Sequence, residues 1–346
     1  MEFNPESGQL KCAHCGHLQA LIAGARVSTH PFLGTSANHT LQPITAKALQ
    51  VSCSGCGSVV AFEPPEVAGI CSFCGIAIVA QAKAADPLIA PDGVLPVKLP
   101  KQGATTQVQQ WLNTRWFAPN ALKRMARPEG VNGVYLPFWA YYCHTDSTYS
   151  GERGEHYYVT ESYTERDSDG NTVERTREVQ HTNWYPVSGQ VQEDFDSLLI
   201  AATKSVPEPR LNKLQPWDLN ALVAYEPAYL AGFRAQRYQL ELPEGFEKAK
   251  IVMQQAIDAA VRQDIGGDEQ RVSGIDTAYS NISFLHLLLP VWMGAYQFQS
   301  KVYHVVVNAR TGEVQGERPY SMLKIATLIV AILAVLVWLM ILHNSR

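Results

Sequence analysis

The sequence predicts an α+β protein with N-terminal zinc ribbons, a β-rich body carrying an internal duplication and one long packing helix, and a C-terminal single transmembrane helix. Three observations lead there. Residues 53–75 read CSGCGSVVAFEPPEVAGICSFCG, two Cys-x-x-Cys-Gly knuckles joined by a short connector. Leu136-Pro137-Phe138-Trp139 recurs as Leu289-Pro290-Val291-Trp292, and each copy runs through Tyr-rich alternating sequence to Gly-Glu-Arg, at Gly151-Glu152-Arg153 and Gly316-Glu317-Arg318. Residues 325–342 read IATLIVAILAVLVWLMIL, without a charge, Gly or Pro.

In the ribbon, Cys53 and Cys56 face Cys71 and Cys74. Each knuckle is a tight turn presenting two thiolates, and Gly57 and Gly75 can take positive φ so that backbone N–H groups point at sulfur. Four thiolates close a tetrahedral site, which suits a structural Zn²⁺ and leaves no open position for catalysis. The N-terminus repeats the second half of this ribbon: Phe3, Pro5, Cys12, Cys15 and Gly16 share the mutual offsets of Phe62, Pro64, Cys71, Cys74 and Gly75. Residues 1–50 therefore read as a partial first ribbon and a connector. Cys12 and Cys15 need two further ligands, from His14, His17, His30, His39 or another chain; otherwise the pair is a metal-free relic.

Residues 51–80 form the complete ribbon and 81–105 a Pro-rich linker with a boundary near Pro100. The body spans 106–320. Within it, apolar positions over 107–126 predict an amphipathic helix broken by Pro119 and a second short helix. Strands begin at Gly133. A hairpin over 157–179 turns at residues 167–171 and carries charge on both faces, so it must project into solvent with its edges guarded against aggregation. Residues 194–203 read as a short helix. Residues 243–265 read as a long one, with Pro243 in the first turn and Gly266-Gly267 as the stop. A last hairpin pairs 302–307 with 313–316 around Asn308–Gly312. The membrane helix covers 323–342; its 18-residue apolar run reaches about 27 Å at 1.5 Å per residue, near the hydrocarbon thickness of a bilayer.

At 346 residues the chain is long enough for several domains. A net charge of −4 offers no general attraction to nucleic acid. Six of the seven cysteines sit in Cys-x-x-Cys pairs, which implies a reducing compartment; Cys143 stands alone. The first residues have neither a basic nor an apolar region of a signal peptide. Arg310, Arg318 and Lys324 precede the apolar run and only Arg346 follows it, which places the body in the cytoplasm.

No phosphate-binding loop, dinucleotide fingerprint, His-Glu-x-x-His or Gly-x-Ser-x-Gly occurs, so the chain is not expected to be an enzyme. In Cys143-His144-Thr145-Asp146-Ser147, alternation on a strand keeps His144 and Asp146 away from the other three. Asp264, Asp268 and Glu269 read as a solvated helix end rather than a metal cluster. A zinc ribbon can also bind nucleic acid, yet residues 48–82 contain no Lys or Arg to displace counterions.

The knuckle segments FNPESGQLKCAHCG and FEPPEVAGICSFCG, followed by RWFAPNALK, VYLPFWAYY, WYPVSG, PWDL, YLAGF, DIGGDEQRV and VNARTGEVQGERPYS, resemble a bacterial family of TFIIB-type zinc-ribbon membrane proteins. Its members are often labelled primosomal protein N′ (replication factor Y), superfamily II helicase-like. The resemblance runs through nearly the whole chain. It implies partners of the band-7/SPFH and phage-shock membrane-protein type and ribbon ligands at Cys53, Cys56, Cys71 and Cys74. With the apolar tail and the ribbon's missing Lys and Arg, the expectation is a Zn²⁺-holding, tail-anchored adaptor at the bacterial inner membrane that takes no nucleic acid. The alternative is a membrane-tethered nucleic-acid-binding ribbon linked to replication. Relatives tend to have a complete first ribbon, so this chain departs from them at Cys12 and Cys15.

Overall fold

A computed structural model describes residues 1–21, 27–32, 41–42, 49–52, 59–62, 68–71, 77–79, 83–84, 88–121, 131–166, 172–299 and 301–344. The protein is a mixed α/β chain whose body is built on three long antiparallel strands. We label the main elements α1 (Lys101–Asn113), β1 (Asn132–Arg166), β2 (Thr172–Ala201), α2 (Leu242–Ile265), β3 (Glu269–Phe298), β4 (Lys301–Asn308), β5 (Val314–Gly316) and α3 (Met322–Asn344). β1 is central, with β2 on one side and β3 on the other; β4 pairs antiparallel with the last eight residues of β3, and β5 pairs with β4.

Burial explains why the strands can be so long. Val134 to Tyr141 are all buried, so here the sheet is covered on both faces. From Cys143 to Gly151 burial alternates, one face meeting α2 and the other water. The change comes at a double irregularity. β2 shifts register between Tyr141 and Cys143, with Ser197 at φ 56°, and β3 shifts between Tyr142 and His144, with Asn281 at φ 52°. An extra residue in each flanking strand bends the sheet and increases its twist at that level.

Pairing of β1 with β3 ends at Gly154, whereas β1 and β2 continue to Arg166 and Thr172 as a two-stranded ribbon with exposed side chains. The projecting hairpin is therefore as the charge pattern requires, with its turn outside the described residues. Glu161 pairs with Arg177 and Glu165 with Arg175 across it.

The two Leu-Pro-x-Trp stretches lie side by side. Leu136 faces Leu289 in the β1–β3 ladder, and equivalent bonds radiate from each copy. Pro137 O accepts from Ala202 N and Pro290 O from Ala309 N; Trp139 Nε1 donates to Leu240 O and Trp292 Nε1 to Leu99 O, both at 2.8 Å. Gly93–Val94 runs parallel to β3 and leads through Leu99 into α1; Arg234–Ala235 runs parallel to β1 and leads through Leu240 into α2. Each strand–helix unit thus precedes one hairpin in the chain but packs on the other. α2 buries Leu242, Phe246, Ala249, Met253, Ile257, Val261 and Ile265 against Trp139, Tyr141 and Tyr149 of β1. α1 buries Val108, Trp111 and Leu112 with Trp292 of β3 and Val305 and Val307 of β4. Each Val, Leu, Ile, Phe or Met among them, removed from water, contributes about 1.5–3 kcal/mol.

Three sequence expectations need correction. Residues 194–203 are not helical: Asp194 to Ala201 continue β2, paired residue by residue with β1 apart from the bulge. α1 runs from Lys101 to Asn113 rather than from 107 to a break at Pro119, because Pro100 sets the N-terminus where Leu99 is tied to Trp292 and the helix stops at Thr114, before the proline. Residues 93–99, read as linker, belong to the body, with Val94, Leu95 and Val97 buried.

Candidate metal centre and membrane-proximal surface

The front of the chain is a three-stranded sheet, Glu2–Asn4, Gln9–Lys11 and Leu18–Gln19. Phe3 fastens it to the body: its N–H donates to Ala231 O at 2.9 Å and its buried ring lies 5.6 Å from that of Tyr229. The turn between the last two strands is the Cys12–Gly16 knuckle. Cys12 N donates to His17 O, and Gly16, at φ 71°, donates to Cys12 O at 3.0 Å. The backbone N–H groups of Cys15 and then His14, followed by the Cys15 side chain, hold the Cys12 thiol below its ordinary pKa. This is the donor arrangement that a zinc knuckle requires, since the thiolate is the ligand.

Among the described residues, no group of three or more His, Cys, Asp and Glu could hold a metal ion. His30 turns away from the knuckle to Asp92, 2.7 Å from Nε2 to Oδ1. Cys53, Cys56 and Cys74, like His39, lie outside the described residues. Cys71 is buried, within the apolar cluster that contains Leu95, Val134 and Leu136.

Cys143, Thr145 and Ser147 are buried and His144 and Asp146 are on the other face, as alternation requires. The Cys143 thiol donates to Ser280 O at 3.7 Å and burial raises its pKa, the reverse of an activated nucleophile. His144 Nδ1 meets Asp194 Oδ1 at 2.6 Å. Of the carboxylates at the end of α2, Asp264 is held by Tyr149, while Asp268 and Glu269 both bind His156. Asp264 accepts from Tyr149 OH at 2.5 Å, Asp268 from His156 N, and Glu269 from Thr182 while pairing with His156 Nε2.

A centre that sequence reasoning missed lies at His286. Its ring is fully buried, 4.8 Å from the Trp139 ring centroid, with Nδ1 donating to Ile89 O at 2.9 Å. Asp92 accepts from His286 N and reaches His30 with its other oxygen, so one carboxylate joins three chain segments. Burial pulls the imidazole pKa down to about 4 and keeps it neutral. The only sequence signal is one His in the apolar run Phe284–Leu289, a pattern more common for a satisfied core histidine than for a ligand.

At the other end of the molecule, Met322–His343 forms a 22-residue apolar helix with none of its length buried. Its entry is tied to the turn after α1. Ser321 N donates to Phe117 O at 2.7 Å, and Lys324 Nζ reaches Trp116 O, Ala118 O and Asn120 Oδ1 at 3.0, 2.9 and 2.7 Å.

No family model matches the chain. It is similar to the Uncharacterized protein YdjG of Bacillus subtilis (strain 168), with 25% identity over 239 residues, 69% of this chain and 66% of that protein. The match thus covers just under two thirds of the relative's length.

Proposed function

We propose that this chain is a membrane-anchored zinc-ribbon adaptor that binds protein partners at the cytoplasmic face of a bacterial inner membrane. The observation that carries the reading is the 22-residue stretch Met322–His343 of α3, long enough to cross a bilayer, entirely unburied, beside a body whose core is filled without it. Arg318 and Lys324 on its body side favour a cytoplasmic body under the positive-inside rule. Partners of the band-7/SPFH or phage-shock type follow from the family resemblance.

The tetrathiolate set Cys53, Cys56, Cys71 and Cys74 would hold one Zn²⁺, which contributes folding energy and no reaction chemistry. The Cys12/Cys15 knuckle fits half of a second site. Metal analysis of the full chain in detergent is expected to give about one Zn per chain from the tetrathiolate set, and about two, falling to about one in Cys12→Ser, where Cys12 and Cys15 also hold metal. A wild-type ratio near one assigns the N-terminal pair no metal.

The adaptor reading is tested by pull-down of the full chain from detergent-solubilised membranes. Recovery of an SPFH or phage-shock-type membrane protein, diminished by Cys53→Ser, is the expected result. Salt-dependent retention on DNA, lost in the same variant and without a membrane partner, overturns it in favour of nucleic-acid binding.

A further inference from the structure

We propose that the turn between α1 and the body, together with the approach to α3, is a second membrane contact that seats the body on the anionic headgroup layer. The proposal rests on α3 lying at a bilayer and adds a docking surface beside it. Trp116 is 74% exposed, and Tyr320, Met322 and Leu323 are exposed at 58%, 76% and 76%. A solitary surface leucine needs no explanation, but an exposed Trp and Tyr flanking an apolar helix form the aromatic composition of a membrane interface.

Geometry places Trp116 at the right depth. Its carbonyl is 3.0 Å from Lys324 Nζ, and the uncharged apolar run begins one residue later, at Ile325. A lysine side chain reaches about 6 Å, while each headgroup layer is about 5–7 Å thick, from the difference between total and hydrocarbon thickness. Trp116 therefore falls within the interfacial layer when Ile325 enters the hydrocarbon. The four hydrogen bonds from Ser321 and Lys324 hold this turn against the helix start, so the body follows the anchor rather than swinging on a tether.

Charge selects an anionic surface. Arg115 stacks on Trp111 with its guanidinium 5.1 Å from the ring centroid, Arg318 stacks on Tyr320 at 5.4 Å, and Lys324 binds only neutral oxygens. Among the described residues none of these three cations has a carboxylate partner, and Nε of both arginines is buried without an acceptor. Arg310 shares the buried Nε without an acceptor but is neutralised by Asp218. In a chain of net charge −4, unpaired cations beside the membrane helix match lipid phosphates.

The test uses the full chain in vesicles of zwitterionic lipid with and without phosphatidylglycerol. Bromine carried high or deep on the acyl chains quenches tryptophan by depth, and aqueous iodide quenches exposed rings. Among the seven tryptophans, difference spectra against Trp116→Phe and Trp338→Phe isolate the two emissions of interest. The expected result is Trp116 quenched by shallow bromine and shielded from iodide in anionic vesicles. Arg115→Gln or Arg318→Gln should weaken this docking about fivefold per charge. Trp116 open to iodide, with Trp338 quenched by deep bromine, overturns the docking and leaves the anchor standing. Trp116 shielded from both quenchers also overturns it, since protein then covers the ring. Trp338 left unquenched by deep bromine removes the span from which the depth of Trp116 is argued, and overturns the docking with it.

Discussion

Two residues show how local chemistry constrains the body. Gly245 lies within α2, where alanine ordinarily stabilises a helix by about 1 kcal/mol. Here a Cβ would come within 2.5 Å of Tyr141 Oη and 2.8 Å of Trp139 Cδ1, both fixed in the core. Gly245→Ala is therefore expected to destabilise the protein by about 1–3 kcal/mol, measured by denaturant unfolding in detergent, because overpacking outweighs propensity. At His286, the folded pKa of about 4 lies below the ordinary 6.5. Between those values the unfolded chain binds a proton that the folded chain refuses, so stability falls as pH drops from 6.5 towards 4. From pH 7 to 5 the loss from this group is about 2 kcal/mol. His286→Leu should flatten that part of the pH–stability curve. An unchanged slope would mean that the imidazole is hydrated in solution.

Among the elements, those set by local signals were legible. α2 begins one residue before Pro243 in its first turn and ends at Gly266 and Gly267, both at positive φ, as the Pro start and Gly-Gly stop imply. The last hairpin turns where Asn308 Oδ1 accepts from Arg310 N and Thr311 N, with Gly312 at φ 81°. Residues 194–203 were misread because DFDSLLIAAT has apolar spacing that suits a helix or a buried strand, and pairing with β1 decides. The knuckle at Cys12 was legible from spacing, whereas Asp92 and His286 are 194 positions apart and leave no local pattern. The exchange of strand–helix units between hairpins is equally non-local. It predicts that a single engineered cut at the exposed Asp218 turn leaves the two pieces associated. Gel filtration of the nicked protein should give one peak, with separation only in denaturant. Dissociation under native conditions would mean that neither the β1–β3 ladder nor the exchanged α1 and α2 hold the halves together.

For the whole molecule, the question is how an elongated polar sheet and an apolar helix share one chain. Along its outer edge β2 is protected by Pro186, which has no N–H to offer, and by the charges of its ribbon. The helix has no such protection in water, with Ile329, Val330, Leu333 and Leu336 each half-exposed or more. Burying these side chains in lipid rather than in the body leaves the three core clusters independent of α3. A stop codon after Ser321 is therefore expected to shift the protein from the membrane pellet to the supernatant while retaining its strand-dominated circular dichroism and its unfolding midpoint. The same truncation removes the three Lys324 bonds and leaves the turn at Trp116 held by Ser321 N alone, so protease sensitivity should rise there and not at α2. A truncated chain that aggregates or loses β structure would instead make α3 part of the body's core, and the single-span reading would fall with it.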